Sequence, residues 1–248
     1  MLVRSWNLYH GRTLPLGRRA YLAEMIRVAT EDDPDVLCVQ EVPAWALRKF
    51  TVGDVASRPP FGAAVGRAIT ALHHGAIRSA VSGQGNAITV APRLRVLERR
   101  SLALNPRRFR TQHGLRRSER LAWARERRIV QTVRLAAGDR TFVVANTHLT
   151  GRFAEQELMR AAWFADSVTR PGEPLILAGD FNLTPASEAL QSLTGPDWGF
   201  SAPGPGIDHV LARGVESSAE RVWPEERRRR ASGALMSDHP PVEIEVEL

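Results

Sequence analysis

One cysteine, Cys38, stands among 248 residues. That excludes an internal disulfide and a cysteine-rich zinc site, and makes a reducing compartment, the cytoplasm, the expected location. No apolar run approaches the roughly 20 residues that a membrane-spanning helix needs. The opening MLVRSWNLYHGR has no apolar stretch followed by a small-residue cleavage site, so no secretory signal is expected. No internal repeat, low-complexity tract or linker interrupts the chain, and one domain over residues 1–248, acting as a monomer, is expected. Lysine is nearly missing too: Lys49 is the only one, and arginine supplies the rest of the 34 basic residues.

What is present is ordinary for a soluble globular protein, 43% hydrophobic and 25% charged, with a formal net charge of +7. A GC-rich coding sequence would produce such an arginine bias. So would selection for an anionic partner, because guanidinium groups fork onto phosphate and create a steering field. Charge alone does not choose between nucleic acid, phospholipid and a small phosphorylated substrate.

Periodicity and punctuation divide the chain into alternating elements. A strand is predicted over 2–8, and an amphipathic helix over 17–31 with Leu22, Met25, Ile26 and Ala29 on one face. Pro34 ends that helix, a buried strand follows over 35–41, and a second helix over 44–50. Residues 53–85, rich in Gly, Pro and Ala, give no clear pattern. Strands over 86–91 and 93–104 flank a turn at Pro92, and 105–125 reads as a basic insertion or long loop. A hairpin joins 128–135 to 140–149. A helix over 153–169, a strand over 174–180, a helix over 185–193 capped by Thr184, and strands over 207–212 and 241–246 complete the reading. Strands of both apolar-run and alternating type, interleaved with helices, suggest two packed sheets flanked by helices.

Several of these strands end in the same vocabulary of Asn, Asp, Glu and His. The first gives Asn7, DVLCVQE gives Glu41, TFVVANTHL gives Asn146 and His148, and PLILAGDFN gives Asp180 and Asn182. Asp208 opens the strand of GIDHVLA, and Asp238 and His239 precede the last strand. Side chains alternate faces along a strand, so Asp180 and Asn182 share a direction, as do Asn146 and His148. Taken singly, an Asn or Asp after a strand is a turn residue, and a His in an apolar strand is a satisfied core residue. Six such ends in one chain favour a shared polar cavity, because each buried polar group left unsatisfied costs ~1–3 kcal/mol.

Such a cavity would hold hard oxygen ligands, amides and histidines, and no thiolate. That donor set suits Mg²⁺ or Mn²⁺ over zinc or copper. A histidine beside an aspartate serves as general base or as a hydrogen-bond donor to a transition state, its tautomer fixed by the carboxylate. The inventory matches metal-assisted hydrolysis of a phosphate ester.

Ser5–Asn7 (SWN), VQE ending at Glu41, Gly85–Asn86, NTHL from Asn146, GDFN from Gly179, IDHV from Ile207 and SDHPPV from Ser237 occur in the order found in the endonuclease/exonuclease/phosphatase superfamily. The sequence resembles this DNase I-like group of metal-dependent phosphoesterases from residue 5 to the C-terminus. The resemblance implies a four-layer α-β-β-α sandwich, two packed mixed sheets flanked by helices, with the site at one end of both sheets. It implies that Asn7 and Glu41 bind the divalent metal with Asp238 nearby, and that Asp180 and Asn182 position the attacking water and the phosphate. Asp208 would pair with His239 and orient its ring, and His148 would contact the scissile phosphate or protonate the leaving oxygen. The residue that first deprotonates the water is left open. The ARERRIV segment resembles the family strand that carries a phosphate-facing arginine; Arg128 is preferred over Arg125, and a solvated strand-edge charge is the competing reading.

The superfamily acts on DNA, RNA, nucleotides, inositol phosphates and sphingomyelin, so fold and metal do not name the substrate. His148 within NTHL, and the absence of a Lys after VQEV, both point away from abasic-site repair. Between Arg107 and Arg128 nine arginines face only Glu119 and Glu126, with Phe109 and Trp123 interleaved, which suits a surface that tracks a nucleic-acid backbone. The run Arg227 to Arg230 reads as a solvated loop, His73 and His74 as surface, and Gly83 to Gly85 as too short for a dinucleotide loop. The expected activity is Mg²⁺-dependent phosphodiester hydrolysis by a nuclease. A phosphatase or lipid phosphodiesterase taking small phosphorylated substrates is the enzyme rival. A non-catalytic binding protein on the same fold is the rival of another class, and the complete set of acid, amide and histidine positions argues against it.

Overall fold

The structure is a computed structural model that describes residues 1–16, 21–58, 62–72, 82–105 and 127–248. Two sheets lie face to face. In the first, β1 (Leu2–Asn7) runs between β14 (Val242–Glu247), antiparallel to it, and β3 (Val36–Pro43), parallel to it. The sheet continues through β5 (Gln84–Val90) to β4 (Val52–Ser57), and the short strands β11 (Glu216–Ser217) and β12 (Arg221–Val222) pair with β14. The second sheet has the order β10 (Asp208–Arg213), β9 (Leu175–Asp180), β8 (Arg140–His148), β7 (Ile129–Ala137), β6 (Arg95–Ala103). A small ribbon pairs β2 (Thr13–Leu14) with β13 (Leu235–Met236).

Alternation explains why the sheets stack. Val3, Val36, Cys38 and Ile88 of the first sheet pack against Val133, Phe142, Val144, Ile176 and Val210 of the second. Their neighbours in sequence point outward and meet helices. Trp6, Leu37 and Val39 pack under α1 (Leu22–Ala29) and a 3₁₀ turn, Ala44–Lys49. Val143, Leu175, Leu177 and Leu211 pack under α3 (Ala154–Val168) and α4 (Glu188–Thr194). In α3 the buried apolar positions are Ala154, Leu158, Ala161, Ala162 and Ala165, the i, i+4, i+7, i+8, i+11 spacing of a single helical stripe. Each fully buried Leu, Val or Phe contributes ~1.5–3 kcal/mol. The result is the expected four-layer α-β-β-α order.

Several boundaries differ from the sequence reading, each for a local reason. Of the predicted helix over 17–31, residues 17–20 lie outside the described residues, and the rest is helical only as α1, which stops at Ala29 because Asp32 and Asp33 take positive φ and Pro34 disfavours helical backbone just before it. The predicted helix over 44–50 is instead a 3₁₀ turn, Ala44–Lys49, since the short link between β3 and β4 leaves no room to propagate an α-helix. Thr184 does not cap α4: its carbonyl accepts from the Ser187 amide in a preceding turn, and Ser187 Oγ accepts from Leu190 N at 3.4 Å instead. The unassigned stretch contains β4 and α2 (Ala63–Leu72). His73, His74, Arg125 and most of the basic segment, residues 106–126, lie outside the described residues. Among the described residues, no helix is long and apolar enough to cross a membrane.

Candidate functional site

The inward-facing rows that form the core turn polar at one end of the sandwich. On β8 the row runs Phe142, Val144, Asn146, His148; on β9 it runs Ile176, Ala178, Asp180; on β10 it starts at Asp208 and continues to Val210. Register aligns the polar ends. His148 pairs with Asp180 across the parallel β8–β9 ladder, and Asp208 pairs with Asp180 across the antiparallel β9–β10 ladder. Three strands thus deliver His148, Asp180 and Asp208 in one row. The facing sheet supplies Asn7 from the end of β1, and Gln40 and Glu41 from β3.

Backbone irregularity concentrates here. β3 shifts register between Val39 and Val42, and Glu41 takes a φ of 53° inside that bulge. Tyr9, His10, Asn182 and Ser237 also hold positive φ. Such conformations persist only where surrounding contacts fix them, and they gather at functional sites. Gly179, next to Asp180, has a φ of 146°, and a Cβ there would lie 1.9 Å from the Thr147 carbonyl oxygen.

Asp180 is the hub. Its Oδ2 accepts from Asn7 Nδ2 at 2.9 Å and lies 3.3 Å from His148 Nε2 and 3.7 Å from His239 Nε2. Its Oδ1 accepts from the Asn182 amide at 3.0 Å, while Asn182 Nδ2 donates to the Leu149 carbonyl. Arg128, only 8% exposed, lies 2.8 Å through Nη1 from His148 Nδ1. Guanidinium only donates, so His148 Nδ1 accepts and the ring proton sits on Nε2, facing Asp180. The strand-edge alternative for Arg128 does not hold, because the side chain turns inward onto a buried ring. His239 Nδ1 pairs with Asp208 Oδ2 at 2.7 Å, leaving Nε2 toward the cavity.

The two histidines are driven in opposite directions. Burial, and then the charge of Arg128, hold His148 well below the ordinary imidazole range. Burial also opposes charge on His239, but the hydrogen bond and charge of Asp208, with Asp180 and Asp238, outweigh it and raise His239 to about 9. Burial lifts the Asp208 carboxyl to about 6 against the pull of His239, and raises Asp180 as well. Glu41 is lifted to about 7 by burial, reinforced by the charges of Asp180 and Asp238 and opposed by Arg128 and His239. Glu41 therefore lies within electrostatic reach of the Asp180 and Asp238 carboxyls.

That crowding is the test for a cation. Hard carboxylates raised by burial, Glu41 also by the charges of Asp180 and Asp238, with Oδ1 of the buried Asp208 lacking a hydrogen-bond partner, fit a divalent ion. Asp180, Asp208 and His239 offer ligand atoms within 4.8 Å of one another. Within that trio Asp208 Oδ2 already pairs with His239 Nδ1 at 2.7 Å, while Asp208 Oδ1 has no hydrogen-bond partner. Asn7 Oδ1 accepts from the Tyr9 amide at 3.0 Å and keeps a second lone pair.

Three residues that the sequence reading left out of the site, His10, Gln40 and Arg228, belong to its surroundings. His10, buried in the 3₁₀ turn Tyr9–Gly11 after β1, places Nε2 3.2 Å from Glu41 Oε2. Gln40 Nε2 donates across the sheets to Asn146 Oδ1 at 2.8 Å, and Asn146 Nδ2 returns to the Val39 and Ala87 carbonyls, which ties the two sheets beneath the cavity. Arg228, expected in a solvated loop, is buried with 5% exposure. Its Nη1 donates to the carbonyls of Met236, Ser237 and His239. The neighbouring glutamates and the arginine repeat suggested solvent; nothing in local sequence signalled that one of the four turns inward.

Solved structures share this fold at low identity. A humanized TDP2 from D. rerio aligns with a TM-score of 0.65 at 16% identity, covering 100% of this chain and 99% of its own. The mannosyl-6-phosphatase of Bacteroides thetaiotaomicron gives 0.63 at 14%, covering 100% of both chains. The human Nocturnin catalytic domain, with a bound sulfate anion, gives 0.62 at 18%, covering 100% of this chain and 93% of its own. No curated protein matches the chain in sequence. The profile of the Endonuclease/Exonuclease/phosphatase family matches residues 5–239, nearly the whole chain. By that match, on a sandwich with polar strand ends gathered in one cavity, the chain belongs to the endonuclease/exonuclease/phosphatase family, a family of hydrolases that typically use divalent metals.

Proposed function

We propose that this chain is a Mg²⁺-dependent phosphodiesterase, a nuclease, that hydrolyses phosphodiester bonds by in-line attack of water at phosphorus. The observation that carries the reading is the pair of histidines of opposite protonation preference around one buried carboxylate, Asp180. Neutral His148 presents an Nε2–H donor to a phosphate oxygen, with Arg128 holding its tautomer. His239, charged and oriented by Asp208, donates from Nε2 and stabilises negative charge as it develops on the phosphate. An imidazole raised this far is a poor proton acceptor, so Asp180, whose carboxyl is raised by burial, is the better group to orient the water and take its proton. Asn182 fixes Asp180 through its backbone amide and helps to place the phosphate. Asn7, Glu41 and Asp238 would hold Mg²⁺ or Mn²⁺, which would neutralise charge on the transferring phosphoryl group.

Nucleic acid is supported as the substrate by the net charge of +7 and by the arginine-rich sequence from Arg107 to Arg128. The human Nocturnin catalytic domain, of the same fold, carries a bound sulfate anion, a tetrahedral oxyanion like phosphate, which is in keeping with this reading. The test is a substrate panel of plasmid DNA, RNA, a p-nitrophenyl phosphodiester and phosphoinositides, with and without EDTA, over a salt series. Metal-dependent nucleic-acid cleavage that falls steeply with salt is expected. Hydrolysis of small phosphate esters alone, indifferent to salt, would overturn the nuclease assignment in favour of a phosphatase, and inertness toward every ester would overturn the enzyme reading.

A further inference from the structure

The four arginines from Arg227 to Arg230 have four different fates. Arg227 lies over the Trp223 ring at 3.5 Å and pairs with Asp32 at 2.6 Å. Arg229 pairs with Glu225 at 2.6 Å, and Arg230 pairs with Glu24 at 3.0 Å while lying over Tyr21 at 3.7 Å. Arg227 and Arg230 strap the segment to residues near α1, while the Arg229 pair stays within the segment. Arg228 instead turns inward from the 3₁₀ turn Glu225–Arg228, and its Nη1 stands 3.3, 2.8 and 3.2 Å from the carbonyl oxygens of Met236, Ser237 and His239.

Three carbonyl dipoles aimed at one point repel one another unless a cation sits there, and a buried guanidinium nitrogen is such a cation. The carbonyls belong to the turn that carries Asp238 and His239. Ser237 adopts a φ of 61° in that turn, and its Oγ donates to the Asn7 carbonyl at 2.6 Å while accepting from the His239 amide at 3.1 Å. Trp6 Nε1 donates to the same His239 carbonyl at 2.9 Å. The turn is thus held on the β1 side by Trp6 and Ser237, and on the opposite side by one positive charge.

We propose that Arg228 is a positioning residue of the candidate site, gathering the carbonyls of Met236, Ser237 and His239 to fix the turn that aims His239 and Asp238 into the cavity. The proposal rests on the phosphoesterase reading for its kinetic consequence only. Arg228 acts through His239, so its loss should slow turnover without weakening substrate binding, and should matter little once His239 is gone.

Arg228→Met keeps most of the stem and removes the charge; Arg228→Lys keeps a charge on a shorter reach. Arg228→Met is expected to lower kcat at least tenfold with KM within threefold of wild type, and Arg228→Lys to recover part of the loss. Placed in a His239→Ala background, Arg228→Met should cost less than a further twofold. Hydrogen exchange gives a readout independent of activity. The amides of Ser237 and His239, which donate to the Arg12 carbonyl and to Ser237 Oγ, should exchange at least tenfold faster in Arg228→Met while β1 and β9 keep their rates. Should the Met variant fail to fold, the same measurements on Arg228→Lys decide. Unchanged kcat in an active protein, a full multiplicative loss in the His239→Ala background, or unchanged exchange at residues 236–239 would each overturn the proposal. An inactive wild type would overturn the functional reading instead, leaving the exchange result to judge Arg228 alone.

Discussion

His148 and His239 approach a single atom from two sides, their Nε2 nitrogens lying 3.3 and 3.7 Å from Oδ2 of Asp180. One ring comes from the end of β8 and the other from the turn before β14, so the two sheets meet over this carboxylate. The partners behind the rings, Arg128 and Asp208, carry opposite charges and set opposite protonation states.

Replacing Glu41, Asp180 or His239 by Ala should each lower turnover at least a hundredfold, which corresponds to ~2.7 kcal/mol of lost transition-state stabilisation. All three lie at the rim of the sandwich, away from the inter-sheet core, so the variants should fold. Steady-state kinetics with circular dichroism checks this, and near-normal hydrolysis by all three folded variants would refute the site.

The Asp208–His239 pair predicts a pH signature in the metal-free protein. His239 is raised to about 9 from the ordinary 6.5, so the folded state binds this proton more tightly than the unfolded chain. Its stabilisation is complete below pH 6.5 and fades as pH rises through about 9. In Asp208→Asn the opposing burial loses its strongest counterweight, and His239 should titrate at distinctly lower pH. An NMR titration of the imidazole reads this directly; identical titration in both proteins would contradict the pairing.

Metal should act on stability as well as on rate. A ligand present at a hundredfold excess over its dissociation constant stabilises the folded state by about 2.7 kcal/mol. Mg²⁺ or Mn²⁺ is expected to raise the melting temperature, EDTA to reverse the rise and abolish turnover, and Glu41→Gln to blunt both effects. Full activity in EDTA, or an equal thermal shift in Glu41→Gln, would remove Glu41 from the metal cage.

Gly179 offers a backbone test. Its φ of 146° and the 1.9 Å approach of a built Cβ to the Thr147 oxygen leave no space for a side chain. Gly179→Ala should destabilise by ~3 kcal/mol, since the obstacle is a strand backbone that does not yield like a side chain, and it should displace Asp180. A urea midpoint unchanged from wild type would show that the β8–β9 ladder adjusts freely.

Much of the architecture is legible because alternation is strong where strands are buried. The inward Phe142, Val144, Asn146, His148 and Ile176, Ala178, Asp180 rows can be read from the letters alone, and register then brings them together. β4 escaped because its row, Val52, Asp54 and Ala56, is short, lies at a sheet edge and carries a half-buried charge between its two buried positions. There Asp54 Oδ2 accepts from Gln131 Nε2 at 2.8 Å, a contact between residues far apart in sequence. His10 and Arg228 escaped for a different reason. Neither lies on a periodic element: His10 occupies a turn with positive φ, and Arg228 leaves a 3₁₀ segment that reads as solvent-facing until the 235–239 segment folds over it.

The pleat that seats Phe142 and Ile176 between the sheets also sends His148 and Asp180 into the cavity, so core and chemistry share one reading frame. Dropping a single residue from the middle of β9 would reverse every side chain beyond the cut. Asp180 would then turn toward the helices while Phe181 entered the cavity. A lineage carrying this fold therefore cannot shorten these strands by one without disturbing core packing and reactivity together.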